Sequence, residues 1–196
     1  MTPEQLHHRL STLGGAASAS APPGPFPAPG EDRVAAVLIA LLTTEPDCPV
    51  ILTRRGADMR HHAGEISLPG GLLEPEDNTD VVHAALREAD EELGLPPNTV
   101  QVRTVLPALR NSSGVRVYPV LGTLTQRPAW RLQPTEVSEV LEVPLSFFLA
   151  EQHYLPRHRY YRGELRDTLV MDYGGHAIWG LTARIMRELR RALLPA

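Results

Sequence analysis

Cysteine is almost missing from this chain: Cys48 is the single one in 196 residues. No internal disulfide can form, and no pair of thiolates is available for a zinc site. Nothing therefore asks for an oxidising compartment, and the cytoplasm is the expected location. An excess of positive charge is also missing. Lys and Arg total 19 against 23 Asp and Glu, a net charge of -4, which argues against a partner nucleic acid. Long apolar runs are absent too, the longest being the nine residues Val34 to Leu42, about half of a membrane span. The first residues lack the charged start and apolar block of a signal peptide, and the terminal Leu-Pro-Ala is no recognisable address. Two familiar nucleophile settings fail as well. Cys48 lies between Asp47 and Pro49 with no paired base, and Ser112 and Ser113 lack the strand-and-elbow context of a serine hydrolase.

What remains is an ordinary globular composition, 42% hydrophobic and 21% charged, at a mean hydropathy of -0.17. This length suits one core. Thr2, Pro3 and Glu4 read as the start of a short helix reaching about Leu13. From Gly14 to Gly30 every residue except Phe26 is Gly, Ala, Ser or Pro, with five prolines between Pro22 and Pro29. That composition is a tether, or an arm packing through Phe26. The expected division is residues 1–30 as helix and arm and 31–196 as the folded domain.

Within the domain, Val34 to Leu42 and Val50 to Thr53 read as strands joined by a turn containing Asp47 and Pro49. Arg54 to Pro69 has no clear period and reads as a functional loop. Asn78 to Gly94 reads as a helix, with Val81, Ala85, Ala89 and Leu93 at every fourth position, Asn78 or Thr79 as cap and Gly94 as stop. Further strands are expected at Val100 to Leu106, Val115 to Leu124, Val140 to Val143, Tyr160 to Tyr161, Thr168 to Tyr173 and His176 to Trp179. A last amphipathic helix runs from about Leu181 to Leu194. Several strands with a central and a terminal helix predict a mixed α/β sandwich.

Chemistry concentrates on the central helix. At about 100° per residue, Glu88, Glu91 and Glu92 fall within one arc beside the apolar stripe. Three like charges so placed repel unless a cation sits among them. Oxygen ligands at this spacing suit Mg²⁺ or Mn²⁺, which take further ligands from water and substrate phosphates. The plain alternative is a solvated acidic face paired with arginines. Gly70 and Gly71, after Pro69, permit a close approach of backbone to the helix or to an anion.

The stretch from Gly71 to Leu95 resembles the Nudix box, G-x5-E-x7-R-E-U-x-E-E-x-G-U with U aliphatic. Arg87, Glu88, Glu91, Glu92, Gly94 and Leu95 match its second half, with Ala89 as a small stand-in for U. The resemblance implies a Nudix fold, a mixed sheet sandwiched between helices. It implies Glu88 and Glu92 as principal ligands of Mg²⁺ or Mn²⁺, Glu91 as accessory ligand or water-orienting carboxylate, and Arg87 as the group that steadies them. The first half departs from the pattern. Fifteen residues separate Gly71 from Arg87, two more than in the box, so the first acid falls on Asp77 counting forward and on Thr79 counting back. Asp77 or Glu74 can serve there, or neither.

Upstream, Leu52-Thr53-Arg54-Arg55-Gly56, then Arg60, Gly64 and Leu68-Pro69-Gly70-Gly71, is similar to the signature of coenzyme A pyrophosphatases within the Nudix superfamily. Gly56 replaces a hydroxyl residue and Leu68 a Phe. Arg54, Arg55, Arg60, His61 and His62 make a cationic loop joined to the carboxylate segment, suited to a substrate with several phosphates; the alternatives are pairing with surplus acids and solvated histidines. The resemblance extends through Ser113-Gly114-Val115, Glu136-Val137 and Ile178-Trp179-Gly180-Leu181. It implies metal-dependent hydrolysis of the diphosphate of coenzyme A, while the charge balance and the short apolar runs point to no nucleic acid or membrane partner. The general base is left among Glu91, the nearest candidate, and Glu136 or Glu139, read as lying in a loop or turn. Trp179 and Tyr173 read as packing residues rather than an adenine platform. Two rival readings stand beside this one: hydrolysis of another diphosphate such as ADP-ribose, NADH or a dinucleoside polyphosphate, and a Nudix-like module that senses a nucleotide without turning it over.

Overall fold

The computed structural model describes residues 5, 6, 8–10, 12, 33–59, 62–161 and 163–194. The proline-rich segment, the Thr2-Pro3-Glu4 start, Arg60 and His61 lie outside the described residues. Helix α1 is seen at the described positions within 5–12, where Leu6 and Leu10 are buried in the core. Arg9 ties it to the far end of the chain by donating to the Leu193 carbonyl at 2.6 Å.

Val34–Leu42 forms β1, and its apolar run is buried because the strand is the centre of a sheet. It pairs antiparallel with β2 (Val50–Arg55) and β4 (Gly70–Leu72), and parallel with β7 (Arg116–Leu124). The sheet runs β3-β2-β1-β7-β5, with β3 at Ile66–Ser67 and β5 at Val100–Val105. β6 (Leu109–Arg110) joins β7, and β8 (Val137–Val143) joins β2. One parallel pairing among antiparallel ones makes the sheet mixed.

Because side chains alternate along a strand, β1 feeds two cores. Ala36, Leu38, Ala40 and Leu42 pack with Val81, Ala84, Ala85, Ala89 and Leu93 of α2 (Val81–Leu93). Ala35, Ile39 and Leu41 pack on the opposite face with Phe148 of α3 (Leu145–Leu149) and with Ala183, Ile185, Met186 and Leu189 of α4 (Gly180–Leu193). A second sheet, β9 (Leu155–Tyr161), β10 (Glu164–Tyr173) and β11 (His176–Trp179), contributes Met171 and Ile178 to that second core. The α/β expectation of a mixed sheet between helices describes this architecture.

Several expected boundaries are corrected. Arg54 to Pro69 is not all loop: β2 continues to Arg55, and β3 pairs back onto it through Thr53↔Ser67 and Arg54↔Ile66. The alternating charges there hid an edge pairing that needs no apolar period. Glu139 is inside β8, opposite Arg54, rather than in a turn. The central helix begins at Val81, not at Asn78, since the Asp80 side chain accepts from the amides of Val82 and His83 and is the N-cap. Asn78 and Thr79 instead take left-handed backbone, at φ 48° and 67°. The strand expected at Tyr160 to Tyr161 begins at Leu155, and that at Thr168 begins at Glu164. Their charged, exposed residues belong to a projecting hairpin, which carries no burial pattern for sequence reasoning to find. Among the described residues, no helix is long and apolar enough to cross a membrane.

Candidate active site

Gly70 and Gly71 place β4 directly under α2. Gly70 has φ 148°, and a Cβ there would lie 2.3 Å from the Ala36 carbonyl oxygen. At Gly71 a Cβ would lie 2.3 Å from Glu88 Oε1. Only glycine lets the Glu88 carboxylate lie against this strand.

Glu88 and Glu92 are one helical turn apart and share the inward face of α2. Glu92 is 4% exposed, and its Oε2 is buried without a hydrogen-bond partner among the described residues. Burial first, then the nearby charges of Glu88 and Glu136, push the Glu92 carboxyl up to about 8, against the pull of Arg55 and the Gly70 amide. Glu88 is raised as well, by burial and by Glu91 and Glu136, with Arg87 opposing. Glu136 ends the turn before β8, where its carbonyl accepts from the Gly56 amide at 2.7 Å. The structure thus brings Glu88, Glu92 and Glu136 within electrostatic reach of one another. Glu91 is set differently, with its side chain 58% exposed and paired with Arg87 Nη1 at 3.3 Å.

Arg87 gathers the surrounding acids. Its Nε and Nη2 donate to the two oxygens of Asp77 at 3.1 and 3.0 Å, its Nη1 to Glu88 Oε1 at 3.1 Å, and its Nη2 also to the Leu72 carbonyl at 3.2 Å. A bidentate guanidinium–carboxylate pair of this kind has a fixed orientation. Asp77 also accepts from the Glu74 amide and faces His83 Nδ1, both at 2.7 Å, and its side chain has no exposed surface. Burial alone would raise the Asp77 carboxyl, but the hydrogen bonds from Arg87, Glu74 and His83 outweigh it and hold the group below its ordinary value. Asp77 is therefore the acid that faces Arg87, with Glu74 supplying a backbone amide. The two additional residues fall between Asp77 and Arg87, where the left-handed pair Asn78 and Thr79 turns the chain into α2. His83 was not singled out by sequence reasoning, although its place four residues before Arg87 puts both on one helical face.

The two adjacent arginines of β2 part company. Val50 and Leu52 face the α4 side and Ile51 the α2 side, so the alternation sends Arg54 and Arg55 to opposite faces. Arg55 reaches the carboxylates: its charge acts on Glu92, and its Nε is buried with no hydrogen-bond partner among the described residues. Arg54 donates through Nε to Glu139 at 2.8 Å and through Nη1 to the Gly64 carbonyl at 3.4 Å. Its Nη2 meets His176 Nδ1 at 2.5 Å. His62 pairs with Glu65 at 3.0 Å, Tyr173 packs on Phe147, and Trp179 lies under the Arg159 guanidinium.

A family model described as the NUDIX domain matches residues 32–164. The chain belongs to the Nudix hydrolase family. An uncharacterized Nudix hydrolase NudL of Photorhabdus laumondii is 39% identical over 170 residues, covering 86% of this chain and 89% of the relative. Its namesake in Salmonella paratyphi B is 40% identical over 157 residues, covering 80% and 81%. Among solved structures, the Nudix domain of Shewanella oneidensis NrtR, complexed with ADP ribose, has a TM-score of 0.54 at 17% identity over 84% of this chain and 90% of that one. At that identity the likeness is one of fold.

Nudix hydrolases generally use divalent ions such as Mg²⁺ or Mn²⁺. The donor set here fits a hard cation: the buried Glu92 and half-buried Glu88 carboxylates, both raised chiefly by desolvation, the former with an oxygen left unpartnered among the described residues, beside a glycine strand that keeps side chains away. Among the described residues no three His, Cys, Asp or Glu side chains converge on one point, so water and substrate oxygens would complete the coordination.

Proposed function

We propose that this Nudix protein hydrolyses the diphosphate bond of coenzyme A and its derivatives, giving adenosine 3′,5′-bisphosphate and 4′-phosphopantetheine. The observation that carries the reading is Arg55. It joins the upstream arginine segment to the carboxylate pair, so that a diphosphate bound at Glu88 and Glu92 would meet a half-buried guanidinium whose buried Nε has no hydrogen-bond partner among the described residues.

Glu88 and Glu92 would hold the divalent ion, which when bound would supply charge neutralisation of the diphosphate and a more acidic water. Arg87, clamped by Asp77, fixes the Glu88 carboxylate and keeps Glu91 at the outer rim. Arg55 orients the diphosphate, and Arg60, outside the described residues, is retained from the sequence motif as a further substrate-binding cation. In the bond-breaking step a water oxygen attacks phosphorus in line with the departing phosphate oxygen. Its proton passes to a carboxylate, for which Glu136 is the best placed by its coupling to both Glu88 and Glu92. Glu91 is the other candidate, while Glu139 is occupied by Arg54. Residues 1–30 are assigned as the N-terminal helix and arm and 31–196 as the Nudix domain, with the helix packed on the domain's core through Leu6 and Leu10.

The test is product mass spectrometry after incubation with coenzyme A, ADP-ribose and NADH, each with Mg²⁺ or Mn²⁺. Preferential release of 4′-phosphopantetheine, lost in Glu88→Gln and Glu92→Gln, is the expected result. Equal or better cleavage of ADP-ribose or NADH would move the substrate to another diphosphate. Tight binding without products would make the protein a sensor. In Glu136→Gln a fall in kcat of about 10²-fold or more at little-changed KM is expected; such a fall in Glu91→Gln instead would reassign the base.

A further inference from the structure

The second sheet reaches the arginine segment where His176, the first residue of β11, meets Arg54. A guanidinium has only donors. In this contact His176 Nδ1 is therefore the acceptor. With Glu139 taking Nε and the Gly64 carbonyl taking Nη1, the Arg54 guanidinium is held from three separate parts of the chain: β8, β11 and the neck of the segment that follows β2.

That neck is closed by two backbone bonds, from the Arg55 amide to the Glu65 carbonyl at 2.9 Å and from the Gly64 amide to the Arg55 carbonyl at 3.2 Å. Arg54 adds a side-chain tie to the same Gly64, and its neighbour in sequence, Arg55, is the cation that faces Glu92. In the pairing with β8 the register shifts at the step between the two arginines, Arg54 facing Glu139 and Arg55 facing Val137, which leaves Ser138 of β8 as the extra residue.

We propose that His176 is a positioning residue for substrate binding: by accepting from Arg54 it locks the neck at Arg55 and Gly64, and with it the direction of Arg55 towards the carboxylate pair. The effect on substrate rests on the function proposed above; the effect on the neck does not. His176 touches no reacting atom, and its removal acts on binding rather than on the chemical step.

The experiment compares His176→Phe, which keeps a planar ring and removes the acceptor, with His176→Asn, whose amide oxygen can take the place of Nδ1. Arg54→Met removes the donor from the other side. Amide-resolved hydrogen exchange by NMR reads the Arg55 and Gly64 amides directly, with the Leu38 amide of β1 as an internal reference for global stability. Protection at Arg55 and Gly64 is expected to fall about tenfold in His176→Phe and in Arg54→Met, with no further loss in the double variant, and to persist in His176→Asn. In steady-state assays KM for the diphosphate that the wild type cleaves is expected to rise about fivefold in His176→Phe, with kcat within about twofold, and to recover in His176→Asn.

Unchanged protection in His176→Phe would overturn the proposal, and so would a loss that His176→Asn fails to restore, which would assign the effect to ring packing. A fall in kcat at constant KM would overturn the binding role. Failure of the coenzyme A reading is seen separately, in the wild type, and leaves the exchange measurement as a full test of the tie.

Discussion

Asp77 carries a charge on a side chain with no exposed surface, and three donors meet it there. Replacing it by Asn keeps the shape and removes the charge that orients Arg87. Removal of one member of a buried pair is costly. Since Glu88 and Glu91 would still pair with Arg87, the expected loss in Asp77→Asn is about 2–3 kcal/mol by urea unfolding, with a drop in activity from the freed Arg87. The Asp77 carboxyl lies below its ordinary value, so its contribution is present above that value and is lost as pH falls through the native one. Glu92 has the opposite sign. Its carboxyl is raised from 4.5 to about 8, so in chelator the contribution is full below the ordinary value and lost as pH climbs to the native one. Between those limits the metal-free protein is expected to lose about 3–5 kcal/mol that Glu92→Gln does not lose. Melting temperatures across that range in EDTA check this, and added Mg²⁺ is expected to restore the wild type alone.

The carboxylate helix shows how an element absorbs two extra residues without moving its chemistry. The addition falls in the left-handed turn of Asn78 and Thr79, ahead of the Asp80 cap, and the face that bears Glu88 and Glu92 keeps its register over β1 and β4. Asp80 fixes where that face begins. Its Oδ1 accepts from Val82 at 2.8 Å and His83 at 3.3 Å. Asp80→Ala is expected to cost about 1 kcal/mol in thermal unfolding, and because His83 then loses its anchoring amide bond, its contact with Asp77 is expected to loosen. Hydrogen exchange at the first turn of α2 measures both effects. The helix and its apolar stripe were legible from a period of four. Its first residue was not, because three neighbouring polar residues, Asn78, Thr79 and Asp80, are all competent caps and the chain's path into the turn decides among them.

At the scale of the whole molecule, one strand serves two cores, and the site lies on one face while its support reaches it from the other. α1 closes the second core through Leu6 and Leu10, the latter 2% exposed. Leu10→Ala is expected to cost about 2–4 kcal/mol by chemical denaturation, and leaving metal affinity at Glu88 and Glu92 unchanged would mark the two cores as separable. Local pattern was enough for β1, the carboxylate helix, the two glycines and the terminal helix, since each depends on periodicity or on a residue type that only one backbone geometry admits. It was not enough for the hairpin of β9 and β10, whose exposed residues carry no period, nor for the parting of Arg54 and Arg55. All 19 cationic side chains are arginine, so residue type alone did not separate the arginine that faces the carboxylates from the one that ties strands together. The sequence by itself determined the family and the place of the acids on one face of the central helix, because their spacing and side-chain chemistry are local properties. Only the tertiary structure decided that Asp77 completes the Arg87 clamp, that Glu136 rather than Glu139 approaches the acids, and that His176 meets Arg54. Those pairings join positions 10 to 122 residues apart, and contacts of that separation exist only once the sheet has set which face each side chain takes.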